Sequence, residues 1–352
     1  MSAATYFFVG GEREAFVKAS LASVGWTTAS GCYDPNFSRG AVIISGAGAG
    51  GSQTYAAARL SSAQDDFWFT VRHRYDAANY LVTAHTSAPW IELVDSDFAP
   101  TFRVMGVGGT YLLPLVRFEY WNGAAWVAAG DPEVAPIATM HKFDFEVLLD
   151  NAAGAVRCYY DGHLLGEKTG DTIFTSAADV REVRFNIKSS AGASNSACLS
   201  EVFCRDLSTL GRRLATLAIT GAGAGNAWDL GGYADIDEAG TFSDTDYMAC
   251  ETADQEATFV TGDLSATAAN YDVEDVINAF RMQVGATGPQ SLKGLVRVGG
   301  TNYASPAEVT PAPVTDMDYV WAVHPENPAT TDPWEASQIN TAGFETGLKS
   351  IA

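Results

Sequence analysis

The stretch DFWFTVRHRYD, residues 66–76, constrains the fold most, because it alternates strictly. Phe67, Phe69, Val71, His73 and Tyr75 fall on one face, and Trp68, Thr70, Arg72 and Arg74 on the other. A strand presents its side chains with period two and a helix with period 3.6, so this pattern is that of a half-buried strand. VREVRFNIKS repeats it, with Val183, Phe185 and Ile187 opposed to Arg184, Asn186 and Lys188. KFDFEVLLD, residues 142–150, does so again, with Phe143, Phe145, Val147 and Leu149 inward and Asp144 and Glu146 outward. Such strands belong to antiparallel sheets with one face on a core.

Turn signals separate the strands. EYWNGAAWV carries Asn122-Gly123 between aromatic runs, a strong hairpin signal. DNAAG and YYDGH bracket the strand AVRCYY. Helical periodicity is confined to residues 11–22 and to DPWEASQINTA, where Asp332 is expected to cap and Pro333 to open the helix. The alternation lapses in LSTLGRRLATL, which places a domain boundary around 208–214. Further strands follow in EATFVTG, VINAFRMQVGA, KGLVRVGGTNYAS and DYVWAVHP. The expected fold is all-β: two consecutive antiparallel β-sandwich (jelly-roll) domains, 1–210 and 211–352. ISGAGAGGSQT at 44–54 and ITGAGAGNAWD at 219–229 echo each other, but no Lys-Ser/Thr follows either, so both are read as flexible turns rather than phosphate loops.

The chain has 42 acidic against 21 basic residues, a formal charge of -21. Such a surface repels phosphate backbones and anionic membranes, which argues against nucleic-acid binding. No apolar run is long enough to span a bilayer. The opening MSAATYFFVGGEREAF has no basic n-region, so folding in a bacterial cytoplasm is expected. Cys32, Cys158, Cys198, Cys204 and Cys250 form no CxxC pair and are read as reduced and mostly buried.

Asp144 and Glu146 lie about 6.6 Å apart along the strand, within the range of glycosidase carboxylate pairs. Jelly-roll β-glucanases, however, carry E-x-D-x-x-E or E-x-D-x-E on the acid strand. Here Asp precedes Glu, and the third acid, Asp150, arrives at the strand end. The pair is therefore read as the solvated face of a strand. No G-x-S-x-G elbow is present, and His73, His163 and His324 are scattered, His73 as a satisfied core histidine. No catalytic residue is assigned, and the chain is expected not to be an enzyme. DIDEAGTFSDTD gathers Asp235, Asp237, Glu238, Asp244 and Asp246. Calcium favours oxygen-rich loops, yet the EF-hand glycine and terminal Glu are missing. The four aspartates remain weak candidates for calcium, and no other cofactor or metal is assigned. Trp90, after a proline, and Trp121 and Trp126, flanking the hairpin, are the glycan-stacking candidates.

TYFFVGGEREAF, FSRGAVIIS and above all FDFEVLLDNAAGAVRCYYDGHLLGEKTGDTIF resemble a family: concanavalin A-like or laminin-G-like jelly-roll structural proteins of tailed phages or gene transfer agents. Gly154, Asp161, Gly162, Gly170, Asp171 and Thr172 occupy the family's turn positions. GAGAGNAWD, VRVGGTNY and NPATTDPWEASQINTAGFETGLKS are similar to the second β-sandwich that follows in such proteins. The resemblance implies a virion component, of tail-fibre or head-spike type. Its partners would be other virion proteins, further copies of itself in a homo-oligomer, and host surface polysaccharide. The alternatives are a capsule depolymerase using Asp144 and Glu146, and a pure virion scaffold.

Overall fold

The computed structural model describes residues 5–9, 16–18, 22–46, 53–77, 87–110, 112–188, 195–238, 245–285, 287–311 and 318–352. The chain divides into two compact units, one ending at Leu214 and the other spanning Ala215–Ala352.

Unit 1 contains β1 (Thr5–Val9), β2 (Phe16–Lys18), β3 (Ala22–Thr27), β4 (Ala41–Gly46), β5 (Gln53–Gln64), β6 (Asp66–Ala77), β7 (Pro89–Val94) and β8 (Pro100–Gly109). It continues with β9 (Pro114–Trp121), β10 (Trp126–Ala128), β11 (Glu133–Val134), β12 (His141–Leu148), β13 (Gly154–Tyr160), β14 (His163–Gly170), β15 (Val180–Lys188) and β16 (Asn195–Arg205). These build two antiparallel sheets. The first runs β14-β13-β12-β6-β16-β4-β3, with β1 also on β16; the second runs β10-β9-β8-β7-β15-β5-β2, with β11 also on β9.

The alternation in the sequence decides which side of each strand meets the core. Phe67 and Phe69 of β6, Phe143 and Phe145 of β12, Phe118 of β9 and Phe185 of β15 are fully buried in one cluster between the sheets. Each such side chain contributes roughly 1.5–3 kcal/mol by leaving water. The expected turns close the strands. Asn122 Oδ1 accepts the amides of Ala124 and Ala125, and Gly123 takes φ 89°. In YYDGH, Asp161 (φ 47°) and Gly162 (φ 86°) both adopt the left-handed conformation that a two-residue hairpin turn requires.

Several expectations need correction. Residues 16–18, inside the expected helix 11–22, form a strand, and the following described residues enter β3. His73 is buried as expected but is not satisfied: both ring nitrogens lack a hydrogen-bond partner. It stacks on Trp90 at 5.6 Å and meets Phe143 edge-on at 6.2 Å. Cys32 and Cys198 are joined in a disulfide, whereas Cys158 and Cys204 are free and buried. Cys32 lies in the loop before β4 and Cys198 on β16, 166 residues later, a proximity that sequence spacing does not reveal.

His73 makes unit 1 acid-sensitive. Desolvation, and then the nearby His141, holds its pKa down at about 3, against 6.5 in an unfolded chain. Between pH 6.5 and about 3 the unfolded state therefore binds a proton that the folded state does not. Stability falls as pH drops through that window, by about 1.4 kcal/mol per pH unit from this group. His73→Phe is expected to flatten that slope in urea titrations at pH 4–7. It should also raise stability at pH 7 by about 1–3 kcal/mol, by removing two unsatisfied polar atoms. An unchanged slope would mean that His73 is hydrated.

Unit 2 contains β17 (Ile219–Asn226), β18 (Glu256–Thr261), β19 (Val276–Met282), β20 (Ser291–Val298), β21 (Thr301–Ala304), β22 (Asp318–His324), a short helix α1 (Ala336–Ile339) and β23 (Glu345–Ile351). A five-stranded sheet runs β17-β18-β23-β20-β21, and β19 pairs with β22 separately. Gly294 of β20 lets the two meet closely, since a Cβ there would lie 2.5 Å from Asn278 Oδ1 and 2.8 Å from the Ala322 side chain. ITGAGAGN is strand β17 rather than a turn, and Ala224 N donates to Glu345 Oε2 at 2.8 Å. The echoing segment at 47–52 lies outside the described residues. The helix starts later than expected: Glu335, not Asp332, is its N-cap, in a capping box with Gln338. The fold of the chain is all-β.

Candidate carbohydrate-binding face

The outer face of the second sheet of unit 1 carries a polar row built by strand register. Arg184 of β15 stands opposite Glu92 of β7, Glu92 opposite Arg103 of β8, and Arg103 opposite Glu119 of β9. The charges alternate, and each facing pair contributes roughly 0.2–1 kcal/mol. Arg103 grips Glu119 Oε2 through Nε at 2.9 Å and Nη2 at 2.7 Å, while Arg117 holds Glu119 Oε1. Arg184 Nε donates to Glu182 Oε1 at 2.6 Å and Arg59 Nη2 to Glu182 Oε2 at 3.2 Å. Asn186 Nδ2 donates to Glu92 Oε2 at 2.9 Å.

The carboxylates lie beneath the guanidinium groups. Glu92, Glu119 and Glu182 are 7%, 4% and 2% exposed, so water screens these pairs poorly. Desolvation raises the Glu92 carboxyl above its ordinary range, against the Asn186 bond and the charges of Arg103 and Arg184. At one end of the face, the hairpin sets Trp121 opposite Trp126, with ring centres 5.8 Å apart and edge to face. The Arg103 guanidinium lies 3.9 Å from the Trp126 ring centre. Toward the other end, Arg184 lies 4.6 Å from the ring centre of Tyr55. Rigid guanidinium donors beside half-buried indoles make a surface able to hydrogen-bond hydroxyls and to stack on flat apolar faces.

Of the residues singled out from sequence, Trp121 and Trp126 sit on this face. Trp90 does not. A β-bulge between Pro89 and Ile91 turns Trp90 into the core, where it is 1% exposed and stacks on Tyr75 at 5.3 Å, so it offers no ring to a glycan. Arg184, Glu92, Arg103 and Glu119 were not expected as a group. Arg184 is the polar member of an alternating run and Glu92 the one charged residue of the apolar strand PWIELV, but the adjacency of the four depends on β7 lying between β8 and β15, which local sequence does not show.

Asp144 and Glu146 do point outward from the first sheet, but they form neither a wet face nor a carboxylate pair. The segment after β16 crosses above Asp144. Asp144 is 1% exposed, accepts the Thr209 hydroxyl at 2.8 Å and pairs with Lys142 at 2.9 Å. Glu146 is bound to Arg157 at 2.9 Å. Nearby, Trp68 stacks on Tyr159 at 6.0 Å.

In the acidic loop of unit 2, Asp244 lies outside the described residues. Asp235 Oδ2 accepts the Gly232 amide at 2.7 Å. Desolvation, a hydrogen bond with Asp235 and the nearby Asp237 raise the carboxyl of Asp246. Among the described residues no group of three or more His, Cys, Asp or Glu side chains is gathered to hold a metal ion. His324 is buried on β22, its Nε2 2.9 Å from Asn278 Oδ1, and desolvation lowers its pKa to about 4. His163 is exposed at the start of β14.

No protein-family model and no curated protein matches this sequence. Several solved structures show a low-scoring likeness to it. Unit 1 is a jelly-roll β-sandwich. A non-specific endo-beta-1,3(4)-glucanase from family GH16 (SCLam) is 8% identical, with a TM-score of 0.33, covering 58% of this chain and 96% of that one. The carbohydrate recognition domain of Emp47p is 8% identical, with a TM-score of 0.36 and the same coverage, 58% and 96%. The transglycosylase Crh5, solved in complex with NAG, is 11% identical, with a TM-score of 0.33, covering 59% and 89%. At these values the likeness is one of strand architecture and assigns neither a sugar nor a reaction. It does correct the expectation that the chain is not an enzyme. Glycoside-processing enzymes stand among the similar structures, so the fold gives no ground for denying catalysis.

Proposed function

We propose that the chain binds carbohydrate, and that it does so on the outer face of the second sheet of unit 1. The observation that carries this reading is the registered row Arg184–Glu92–Arg103–Glu119 ending beside the Trp121–Trp126 pair. Sugar rings present hydroxyls around an apolar face, and sites for them combine fixed polar groups with aromatic platforms. Trp126→Ala is expected to weaken binding to a recognised polysaccharide roughly tenfold in affinity electrophoresis. It should leave the urea midpoint of the core nearly unchanged, because Trp126 is only half-buried at the sheet edge. Full retention of binding by the Trp121→Ala/Trp126→Ala double variant would remove this face from consideration.

The finer reading is attachment to host surface polysaccharide as a virion component, beside other virion proteins and in a homo-oligomer. Its support is the turn pattern around Gly154, Asp161, Gly162 and Gly170–Thr172, which resembles that of phage appendage proteins. Shallow sites of this kind bind weakly one at a time, and repetition on an oligomer supplies avidity.

A further inference from the structure

The row described above has a charge balance and an unused hydrogen-bonding capacity that together select among sugars. Four guanidinium groups, on Arg59, Arg103, Arg117 and Arg184, overlie three carboxylates, on Glu92, Glu119 and Glu182. Every one of these arginines is hydrogen-bonded to a carboxylate on the same face. Arg103 and Arg117 share Glu119, and Arg59 and Arg184 share Glu182, so each guanidinium already has a carboxylate partner and the face keeps an excess of only one positive charge. A ligand carboxylate or sulfate arriving here would compete with carboxylates already bonded to every guanidinium and would have to leave water to reach them. It would also approach a chain of formal charge -21, whose long-range field opposes it.

What the face retains is hydrogen-bonding capacity of both signs. Among the described residues Arg184 donates only through Nε, which leaves both Nη groups without a bond, and Nη1 of Arg103 and of Arg117 is likewise unbonded. On the acceptor side, Asn186 binds Oε2 of Glu92, and Oε1 takes no bond among these residues. A sugar hydroxyl both donates and accepts, so it satisfies such a row, whereas an anion only accepts. Neighbouring strands lie about 4.8 Å apart, so the row from Arg184 to Glu119 runs about 14 Å, and the β10 tryptophan adds a further strand. That length accommodates several consecutive sugar rings laid across the strands.

We propose that this face takes an uncharged polysaccharide chain, extended across the strands from Arg184 toward Trp126, and discriminates against chains bearing uronate or sulfate groups. The proposal rests on the carbohydrate-binding reading and names the ligand class for that same face.

The test is affinity electrophoresis and isothermal titration of the full chain against two sets of polymers. The uncharged set is a mixed-linkage β-glucan, dextran and mannan; the charged set is polygalacturonate and chondroitin sulfate. Both are run at 20 mM and 300 mM NaCl. The expected result is binding within the uncharged set that is insensitive to salt and roughly tenfold weaker in Arg184→Gln. Glu92→Gln raises the guanidinium excess on the face from one to two, and it is expected to bind the charged polymers more tightly than the unaltered protein does, with the gain erased at 300 mM NaCl. Binding confined to the charged set, falling steeply with salt, would overturn the ligand class while leaving the carbohydrate reading standing. Binding of no polymer in either set would overturn both. Uncharged binding unaffected by Arg184→Gln and by Glu92→Gln would overturn the placement on this row. Urea midpoints of both variants close to that of the unaltered protein exclude misfolding as the cause of any loss.

Discussion

Glu201→Ala is expected to lower the stability of unit 1 by about 3–5 kcal/mol, the range seen when one partner of a buried ion pair is removed. Glu201 sits in the bulge of β16 at φ 49° and is 2% exposed. Its carboxylate takes Arg213 Nε at 2.6 Å and Nη2 at 2.8 Å, with Arg72 Nε at 3.6 Å. Arg213 also reaches Asp34 at 2.9 Å and lies 3.5 Å from the ring centre of Phe37. Removing the glutamate thus leaves Arg213, itself mostly buried, with a single carboxylate, and it releases the segment that seals Asp144. Urea unfolding checks this, read as a midpoint shift at constant slope. Glu201→Gln keeps the shape but not the charge and should fall between the two proteins. A loss below about 1 kcal/mol for the alanine variant would show that the cluster behaves like a solvated surface pair.

The second large effect is expected at the disulfide. Cys198→Ser, Cys32→Ser and reduction of the unaltered protein should each destabilise unit 1 by about 2–5 kcal/mol, since the bridge closes a long loop of the unfolded chain. The bridge joins residues 166 apart, within a small apolar cluster with Ala41. The double serine variant should lose no more than either single one, and reductant should leave all three variants unmoved. Equal thermal midpoints for the oxidised and reduced protein would refute the stabilising role. In the same experiment Cys158 and Cys204, fully buried and with thiols pushed well above their ordinary range by desolvation, should resist alkylation until unit 1 unfolds.

The faces of the strands were legible in the sequence because burial on a strand has period two. Phe67 and Phe69, Phe143 and Phe145, and Val183 and Phe185 all point where their alternation places them. What local pattern could not supply is which strand lies beside which. The pairing of β7 with β15 sets Arg184 opposite Glu92 across nearly a hundred residues, so the polar row was invisible in the local sequence. Trp90 was misread because a bulge reverses its direction, and the glycines of β17 because small residues in a strand look like a turn. Asp144 looked solvated because the segment that covers it, carrying Thr209, lies 65 residues further on. The facing of Trp121 and Trp126 across their hairpin was legible because that turn is local.

The placement of β16 governs how this chain can be made. This strand pairs with β1, β4 and β6, strands from the first quarter of the sequence, and it carries Cys198 and Glu201. It is the last strand of unit 1 to leave the ribosome. Until it arrives, β6 lacks one of its two neighbours, β4 has only β3, and both the bridge and the Arg213 cluster lack a partner. The nascent unit therefore holds unpaired strand edges for almost its whole synthesis, which is when edges recruit other chains. A stop codon or proteolytic cut just before residue 195 would leave most of the aromatic core encoded and yet the first sheet split into β14-β13-β12-β6 and β4-β3. Truncation there should be as damaging as truncation much earlier.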